Sequence, residues 1–246
     1  MKKHWKTLAG KCIYQASDGI KVHQNLLYRW LTLNSDTVQT LINRYYPHFP
    51  SLQYIKPLTF ALRARPSACC LLGLGGGAVA HATKMYLNNI ELTAVESNLD
   101  VIGTASMYFM TDQIKNLVII HQDANLFVQQ CKINYPHLLI DIYNGQTFPT
   151  HCNYLDFFGY CKNIVCDNGF LSINLADINE AWIILQYLRH HFGQKTVCIP
   201  IKGTSNLIII VINSSSITPL LDLFEQSKEV KKIIWDVQWG YMAELR

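Results

Sequence analysis

The sequence contains no long apolar run, and this absence excludes a membrane-spanning class. Its longest purely apolar stretch runs from Leu207 to Ile212, whereas a helix needs about 20 residues to cross a bilayer. We interpret this stretch as a buried strand. The basic start, Met1 to Lys6, is not followed by the apolar segment of a signal peptide. We therefore expect a cytoplasmic protein with no membrane partner.

Concentrated basic charge is also missing. The net charge of +4 is spread along the chain, and the clusters at Met1 to Lys6 and Lys228 to Lys232 are short. Because phosphate binding usually needs basic residues on one face, a solvated surface is favoured over a nucleic-acid site. The sequence shows no internal repeat or low-complexity segment.

None of the eight cysteines forms a CxxC pair. Several lie in apolar runs, where a thiol packs as a small hydrophobe, so we expect reduced, structural cysteines. The cluster Cys152, Cys161 and Cys166 lies near His151. A metal site there is a minor alternative to helix packing, and no metal is expected.

The first part of the chain predicts a small β-rich unit. Short β-prone runs at Lys11 to Gln15, Ile20 to Gln24 and Tyr28 to Leu33 are separated by turn-forming residues. A helix is predicted from Leu58 to Ala64, ending before Pro66. We predict two units, residues 1–57 and 58–246.

From Cys69 onward, apolar strands alternate with longer helical patterns, as parallel strands covered on both faces require. The predicted strands are Cys69 to Leu74, Glu91 to Val95, Leu117 to His121, His137 to Asp141 and Gly169 to Leu175. The predicted helices are Gly77 to Leu87, Leu99 to Phe109, Ala124 to Ile133, Asn153 to Val165 and Ile178 to His191.

The last apolar runs, Lys195 to Ile201 and Asn206 to Asn213, are joined by a turn too short for a parallel crossover. They predict an antiparallel hairpin. The fold class is therefore α/β, a Rossmann-like doubly wound sheet of the class I methyltransferase type. It has five parallel strands plus a C-terminal antiparallel hairpin, preceded by the small N-terminal β-rich unit.

A glycine-rich loop, Gly73-Leu74-Gly75-Gly76-Gly77, leaves the first of these strands and enters a helix. Strand, loop and helix come in the order that lets backbone N–H groups approach a nucleotide ligand. Glu96 follows Gly77 by 19 residues at the end of the next strand, where a carboxylate binds ribose hydroxyls. A solvated strand-end acid is the alternative.

Two further acids follow the next strands. Asp123, before Ala124, can accept a hydrogen bond from an adenine amine or can cap the following helix, and the two roles are compatible. Asp141 ends the fourth strand, where open α/β sheets bind ligands in the crevice. A structural role is the alternative for Asp141.

With these residues in view, the chain resembles the spermidine synthase family, the polyamine aminopropyltransferases and their relatives. The resemblance runs from the β-rich unit through Gln39, Tyr54 and the glycine loop to Asp141. It implies an S-adenosyl ligand: S-adenosylmethionine, decarboxylated S-adenosylmethionine or methylthioadenosine. The residues implied to bind it are Gly75, Gly77, Glu96, Asp123 and Ala124, with Gln39 and Asp141 beside the transferred group; Gly73 and Gly76 complete the loop. A homodimer pairing through the β-rich unit is one implied arrangement.

The sequence departs from the family at the amine side of the site. Ala78 stands where aminopropyltransferases carry an aspartate for the aminopropyl ammonium, and Asn144 stands where they carry the second of two aspartates. An amide cannot take up a proton from the attacking amine. The family's acidic gate segment is replaced by residues 51–57, which contain no acid.

The sequence thus predicts a transferase acting on a small acceptor, for instance an amine, with methyl transfer ahead of aminopropyl transfer. Asp141, Tyr143 and Asn144 are the predicted catalytic residues, and Tyr54, Gln146 and His151 are further acceptor-side candidates. A catalytically silent module that binds S-adenosyl ligands or partners is a second hypothesis. It is motivated by the lost aspartates and by Trp182, Trp235 and Trp239, which could line an interface or pack in the core. A dinucleotide-dependent oxidoreductase is third.

Overall fold

The small N-terminal sheet has four antiparallel strands. The structure, a computed structural model, describes residues 9–16, 19–34, 37–143 and 147–246. The strands follow in chain order, so each pairs with the next: β1 (Lys11–Gln15), β2 (Ile20–Gln24), β3 (Tyr28–Leu33) and β4 (Val38–Asn43). The first three were predicted and are confirmed. The fourth was missed, because its sequence VQTLIN has an apolar pair where strict alternation would place one polar residue.

Two short helices connect the sheets. The helix predicted from Leu58 to Ala64 is in fact divided into α1 (Ile55–Leu58) and α2 (Phe60–Ala64). Thr59 lies between them and turns its hydroxyl back to the carbonyl of Ile55. The predicted unit boundary between residues 57 and 58 falls inside α1, and the division into two units stays a prediction.

Five parallel strands form the centre of the second sheet, in the order β7-β6-β5-β8-β9. This arrangement confirms the predicted doubly wound fold. The elements in chain order are β5 (Cys69–Leu72), α3 (Ala78–Leu87), β6 (Leu92–Glu96), α4 (Leu99–Phe109), β7 (Leu117–His121), α5 (Ala124–Gln130), β8 (Tyr135–Ile140), α6 (Leu155–Asn163), β9 (Val165–Leu175) and α7 (Ile178–Phe192).

The predicted antiparallel hairpin is present as β10 (Thr196–Pro200) and β11 (Leu207–Ile212), with β11 inserted between β9 and β10. Three further elements follow that the sequence had not predicted: α8 (Thr218–Gln226), β12 (Val230–Asp236) and β13 (Gly240–Leu245). They extend the sheet to nine strands, with β13 parallel to β10 and β12 at the edge. Strand β12 was hidden because lysines interrupt its apolar pattern, as is common on edge strands.

The core lies on both faces of the large sheet. Successive strand side chains point to opposite faces, so Leu71 packs into one cluster and Leu72 into the other. Ile20 and Leu31 of the small sheet join the cluster of Leu71, so the two sheets share one core. No helix among the described residues is long and apolar enough to cross a membrane.

The glycine loop allows a matched test of backbone strain. Gly73 has φ +91°, and a Cβ there would lie 2.3 Å from the carbonyl oxygen of Asp141, whereas a Cβ at Gly103 of α4 meets nothing within 4 Å. We expect Gly73→Ala to lower the free energy of unfolding by at least about 2 kcal/mol. Gly103→Ala should raise it by about 0.5–1 kcal/mol through helix propensity. Urea denaturation followed by circular dichroism measures both, and equal stabilities would contradict the close approach of β5 and β8.

Candidate functional site

A cavity of about 1010 Å³ opens at the carboxyl ends of the parallel strands, under the small sheet. Its lining comes from the loops after β5, β6, β7, β8 and β9, from β4 and from the turn between β10 and β11. Parallel strands end at the same edge, so their loops converge there. Among the predicted site residues, the lining includes Gln39, Gly73, Gly75, Glu96, Asp123, Ala124, Asp141 and Tyr143.

The glycine loop makes a tight turn from β5 into α3. Gly73, Gly75 and Gly77 all have positive φ, the region that favours glycine. Gly77 caps α3, and neither it nor Gly76 is among the described lining residues. These two glycines therefore shape the loop rather than form the cavity wall.

All five backbone N–H groups from Gly73 to Gly77 already have protein acceptors. Gly73 donates to the carbonyl of Val95 and Gly77 to that of Leu74. Leu74 and Gly75 donate to Glu96 Oε2 over 3.1 and 3.3 Å. Gly76 donates to Thr40 Oγ1 over 2.8 Å. The loop thus differs from the expected open cradle, since its N–H groups are directed at the protein.

Glu96 lies at the end of β6, half-buried and against the loop. While Oε2 accepts from the loop, Oε1 accepts from the backbone N–H of Asn98 over 3.0 Å. The carboxylate is held by backbone donors on both oxygens, which fixes its position in the cavity wall. Its predicted role as a ribose ligand stays a prediction, but it is more than a solvated strand end.

Asp123 follows β7 and serves two contacts. Its Oδ1 accepts from the backbone N–H of Leu126 and caps α5, as one of the predicted roles requires. Its Oδ2 contacts His151 Nε2 at 2.8 Å. His151 was predicted only as an acceptor-side candidate, and the structure places it against Asp123. Ala124 is buried beside Asp123 and also lines the cavity.

Asp141 has a side-chain donor on each of its two carboxylate oxygens. Tyr54 Oη donates to Oδ2 over 2.9 Å, and Asn174 Nδ2 donates to Oδ1 over 2.8 Å. Desolvation raises the pKa of Asp141, and the hydrogen bonds from Asn174 and Tyr54 oppose that rise. Burial and the neighbouring Asp141 raise the pKa of Tyr54, which is therefore a neutral donor. These donors allow Asp141 to act as an ionised base whose pKa is raised.

The remaining acceptor-side candidates lie around Asp141. Tyr143 donates its hydroxyl to the backbone carbonyl of Asn174 over 2.7 Å, so this group is directed at β9. Ala78 lines the cavity at the start of α3, and the family's aspartate at this position is replaced by a methyl group. Asn144 and Gln146, both predicted acceptor-side residues, lie outside the described residues.

The cavity differs in charge from the chain as a whole. Its carboxylates are Glu96, Asp123, Asp141 and Asp177, and no lysine or arginine occurs among its described lining residues. The chain, in contrast, carries a net charge of +4. Such a wall suits a cationic ligand, because a desolvated cation must be paired with negative charge.

Sequence reasoning missed several residues of the site, among them Thr40, Asn174 and Asn206. Asn174 is 2% exposed in the apolar strand β9, and a buried amide in such a run was the available signal. Asn206 donates to Asn174 Oδ1 over 2.9 Å from the turn between β10 and β11. Thr40 comes from the missed strand β4, so its contact with the glycine loop could not be seen without that strand.

The cysteine cluster is arranged as packing. Cys152 and Cys161 are buried, and Cys166 is half-buried. Burial raises the pKa of Cys152 to about 12, so it is a neutral thiol. Within the described ranges, no group of three or more His, Cys, Asp or Glu side chains is placed to hold a metal ion.

The fold defines a class I methyltransferase-type domain with a small antiparallel sheet at its N-terminus. No protein-family model matches the chain. It is 26% identical over 202 residues to a polyamine aminopropyltransferase of Neisseria meningitidis, an alignment covering 80% of this chain and 76% of the relative. The expected resemblance to the spermidine synthase family is thereby confirmed.

Solved structures show the same fold. A spermidine synthase in complex with the transition state analogue AdoDATO superposes with a TM-score of 0.69 at 16% identity, covering 86% of this chain and 76% of that one. Human methyltransferase-like protein 13 in complex with SAH gives a TM-score of 0.60 at 18% identity, covering 70% and 89%. None of these three proteins is named as an oxidoreductase, so they give the dinucleotide alternative no support.

The contact between the two sheets at Thr40 gives a stability prediction. Thr40→Val removes the acceptor of the buried Gly76 N–H and should lower the free energy of unfolding by about 1–3 kcal/mol. Thr40→Ser keeps the hydroxyl and should retain most of the stability. Urea denaturation and hydrogen exchange of the Gly76 amide measure the effect. Equal exchange rates in the valine and serine variants would show that this hydrogen bond does not hold the loop.

Proposed function

We propose that this protein is a transferase that moves an aminopropyl group from a decarboxylated S-adenosyl sulfonium to the nitrogen of a small amine. The observation that carries the proposal is the Tyr54–Asp141 pair, a carboxylate with a neutral phenol donor, at the inner wall of an acidic cavity. A base of raised pKa suits removal of a proton from an ammonium or amine.

The charge of the cavity supports a sulfonium donor. In this proposal Glu96 binds the ribose, Asp123 and Ala124 bind the adenine, and Gly73 and Gly75 let the donor approach β5. Gln39 and Asp141 then lie beside the transferred group, on the side of the small sheet. The described wall offers carboxylates and no lysine or arginine, which favours a positively charged centre between these groups.

The hydrogen bonding of the glycine loop favours a sulfonium donor that has no carboxylate. S-adenosylmethionine carries a carboxylate that needs N–H donors or a basic side chain when desolvated. The loop N–H groups are bonded to Val95, Glu96, Thr40 and Leu74, and no lysine or arginine is among the described lining residues. Relatives named polyamine aminopropyltransferase point the same way. Methyl transfer, the first choice from the sequence, is supported by the shared fold alone.

The chemical step follows from these positions. The amine nitrogen attacks the aminopropyl carbon that is bonded to sulfur. A C–N bond forms, and the bond between that carbon and sulfur breaks with its electron pair moving to sulfur. Because sulfur receives that electron pair, the leaving group is a neutral thioether, methylthioadenosine. Asp141 accepts the proton that the nitrogen loses. Tyr54 holds Oδ2 in place while the nucleophile is brought in line.

Methyl transfer stays the second candidate because Ala78 removes the carboxylate that would hold an aminopropyl ammonium. A silent binding module is the third. The partner remains a small molecule, for instance an amine; homodimer formation and a cytoplasmic location also remain predictions.

The leaving product distinguishes these candidates. Purified protein incubated with putrescine and decarboxylated S-adenosylmethionine should release methylthioadenosine, measured by mass spectrometry. S-adenosylhomocysteine from S-adenosylmethionine with the same amine would favour methyl transfer instead. Ligand binding by calorimetry without either product would favour the silent module.

Asp141→Asn should lower kcat/KM at least about 100-fold, because an amide cannot accept the proton. Asp156→Asn, on the exposed side of α6, is the matched control and should retain activity. In the unchanged protein kcat/KM should fall as the pH drops through the raised pKa of Asp141, since only the ionised form is a base. A flat profile on the acid side would exclude Asp141 as the base.

Ala78→Asp tests the donor side. A carboxylate at the start of α3 would face the cavity at a helix N-terminus and pair with the ammonium of the decarboxylated donor. We expect the KM for that donor to fall about tenfold, the value of one charged hydrogen bond. Ala78→Asn is the neutral control of equal size. Equal KM values in the two variants would show that the donor ammonium does not reach this position.

A further inference from the structure

A chain of side-chain hydrogen bonds continues from Asp141 along the cavity wall, through Asn174 and Asn206, which both line the cavity. Asn206 Nδ2 donates to Asn174 Oδ1 over 2.9 Å, and Asn174 Nδ2 donates to Asp141 Oδ1 over 2.8 Å. Asn174 is buried in β9. The backbone of Asn206 is held by Thr204 Oγ1 and by the N–H of Ile201. The turn between β10 and β11 is thereby linked to the proposed base.

The direction of this chain depends on the charge of Asp141. An ionised carboxylate only accepts, so Asn174 must turn its NH₂ group toward it. The Asn174 oxygen then faces Asn206, which donates. A protonated Asp141 could donate to Asn174 only after the amide rotates by half a turn, and that rotation would place two NH₂ groups against each other. The chain therefore favours the ionised carboxylate.

We propose that Asn174 and Asn206 are positioning residues for Asp141, which hold its carboxylate ionised and turn its remaining lone pairs toward the acceptor nitrogen. The proposal rests on the proposed function. It assigns a role to two amide side chains that belong neither to the glycine loop nor to the acids predicted from the sequence. It also gives the β10–β11 turn a part in the reaction.

The neighbours of Asp141 allow its titration to be isolated. The titratable groups that act on it from packed elements are Tyr54 and Tyr143, and Glu180 acts on Tyr143. Burial raises the pKa of both tyrosines, so they stay neutral below the alkaline range. The other acids and the histidines of the cavity lining are unchanged in the variants below: Glu96, Asp123, Asp177, His23 and His151. A shift between variants on the acid side therefore reports Asp141.

The test compares Asn206→Ala with Asn206→Ser, whose hydroxyl can still donate to Asn174. The alanine variant should move the acid limb of kcat/KM upward by about half a unit to one unit. Well below the midpoint of that limb it should lower kcat by about three- to tenfold, with the KM for the donor unchanged. The serine variant should restore part of both. Lys202→Ala, an exposed residue of the same turn outside the cavity lining, is the control.

A titration of the Asp141 carboxyl carbon by ¹³C NMR, assigned with Asp141→Asn, gives the same quantity without turnover. If the unchanged protein yields no product, the proposed function fails, and this titration still decides the positioning role. An upward shift in Asn206→Ala supports the role, and an unchanged midpoint overturns it. Should the alanine variant unfold, Asn206→Asp replaces it. An acceptor of equal size should raise the titration midpoint of Asp141 above that of the unchanged protein, and an unchanged midpoint overturns the proposal.

Discussion

The desolvation of one carboxylate organises the functional edge of this protein. Asp141 ends a parallel strand whose flanking strands are buried, so its charge must be balanced by hydrogen-bond donors brought from elsewhere. Tyr54 reaches it from the segment before α1, and Asn174 reaches it from β9. The helical connection, the central sheet and, through Asn206, the C-terminal hairpin are thus joined at one side chain.

The same edge separates two kinds of electrostatic environment. The chain is basic overall, yet the cavity wall described here is acidic. Glu96 and Thr40 take the N–H groups that a glycine loop would otherwise offer to an anion. A glycine loop of the nucleotide-binding kind thus forms part of a cavity whose described wall is acidic. The small sheet contributes to this change directly, because Thr40 belongs to β4.

Particular elements show how far sequence patterns reach. Continuous apolar runs identified the five parallel strands, since strands covered on both faces consist mostly of apolar residues. The bounds predicted for the helix before the glycine loop were wrong, because α1 begins at Ile55 and the helix is interrupted at Thr59. Strand β12 was missed because a half-exposed edge strand mixes lysine with apolar residues. The acids of the site were found because each follows a strand, whereas Asn174 and Asn206 follow no local rule.

By itself, the sequence determined the doubly wound fold, the glycine loop and the line of acids at the strand ends, because each depends on local periodicity and on spacing along the chain. The tertiary structure decided which donors each acid receives. Tyr54 and Asp141 are 87 residues apart in sequence, and Asn174 and Asn206 are 32 apart. Hydrogen bonds over such separations depend on how the sheets pack and on the orientation of each side chain, which no local pattern encodes.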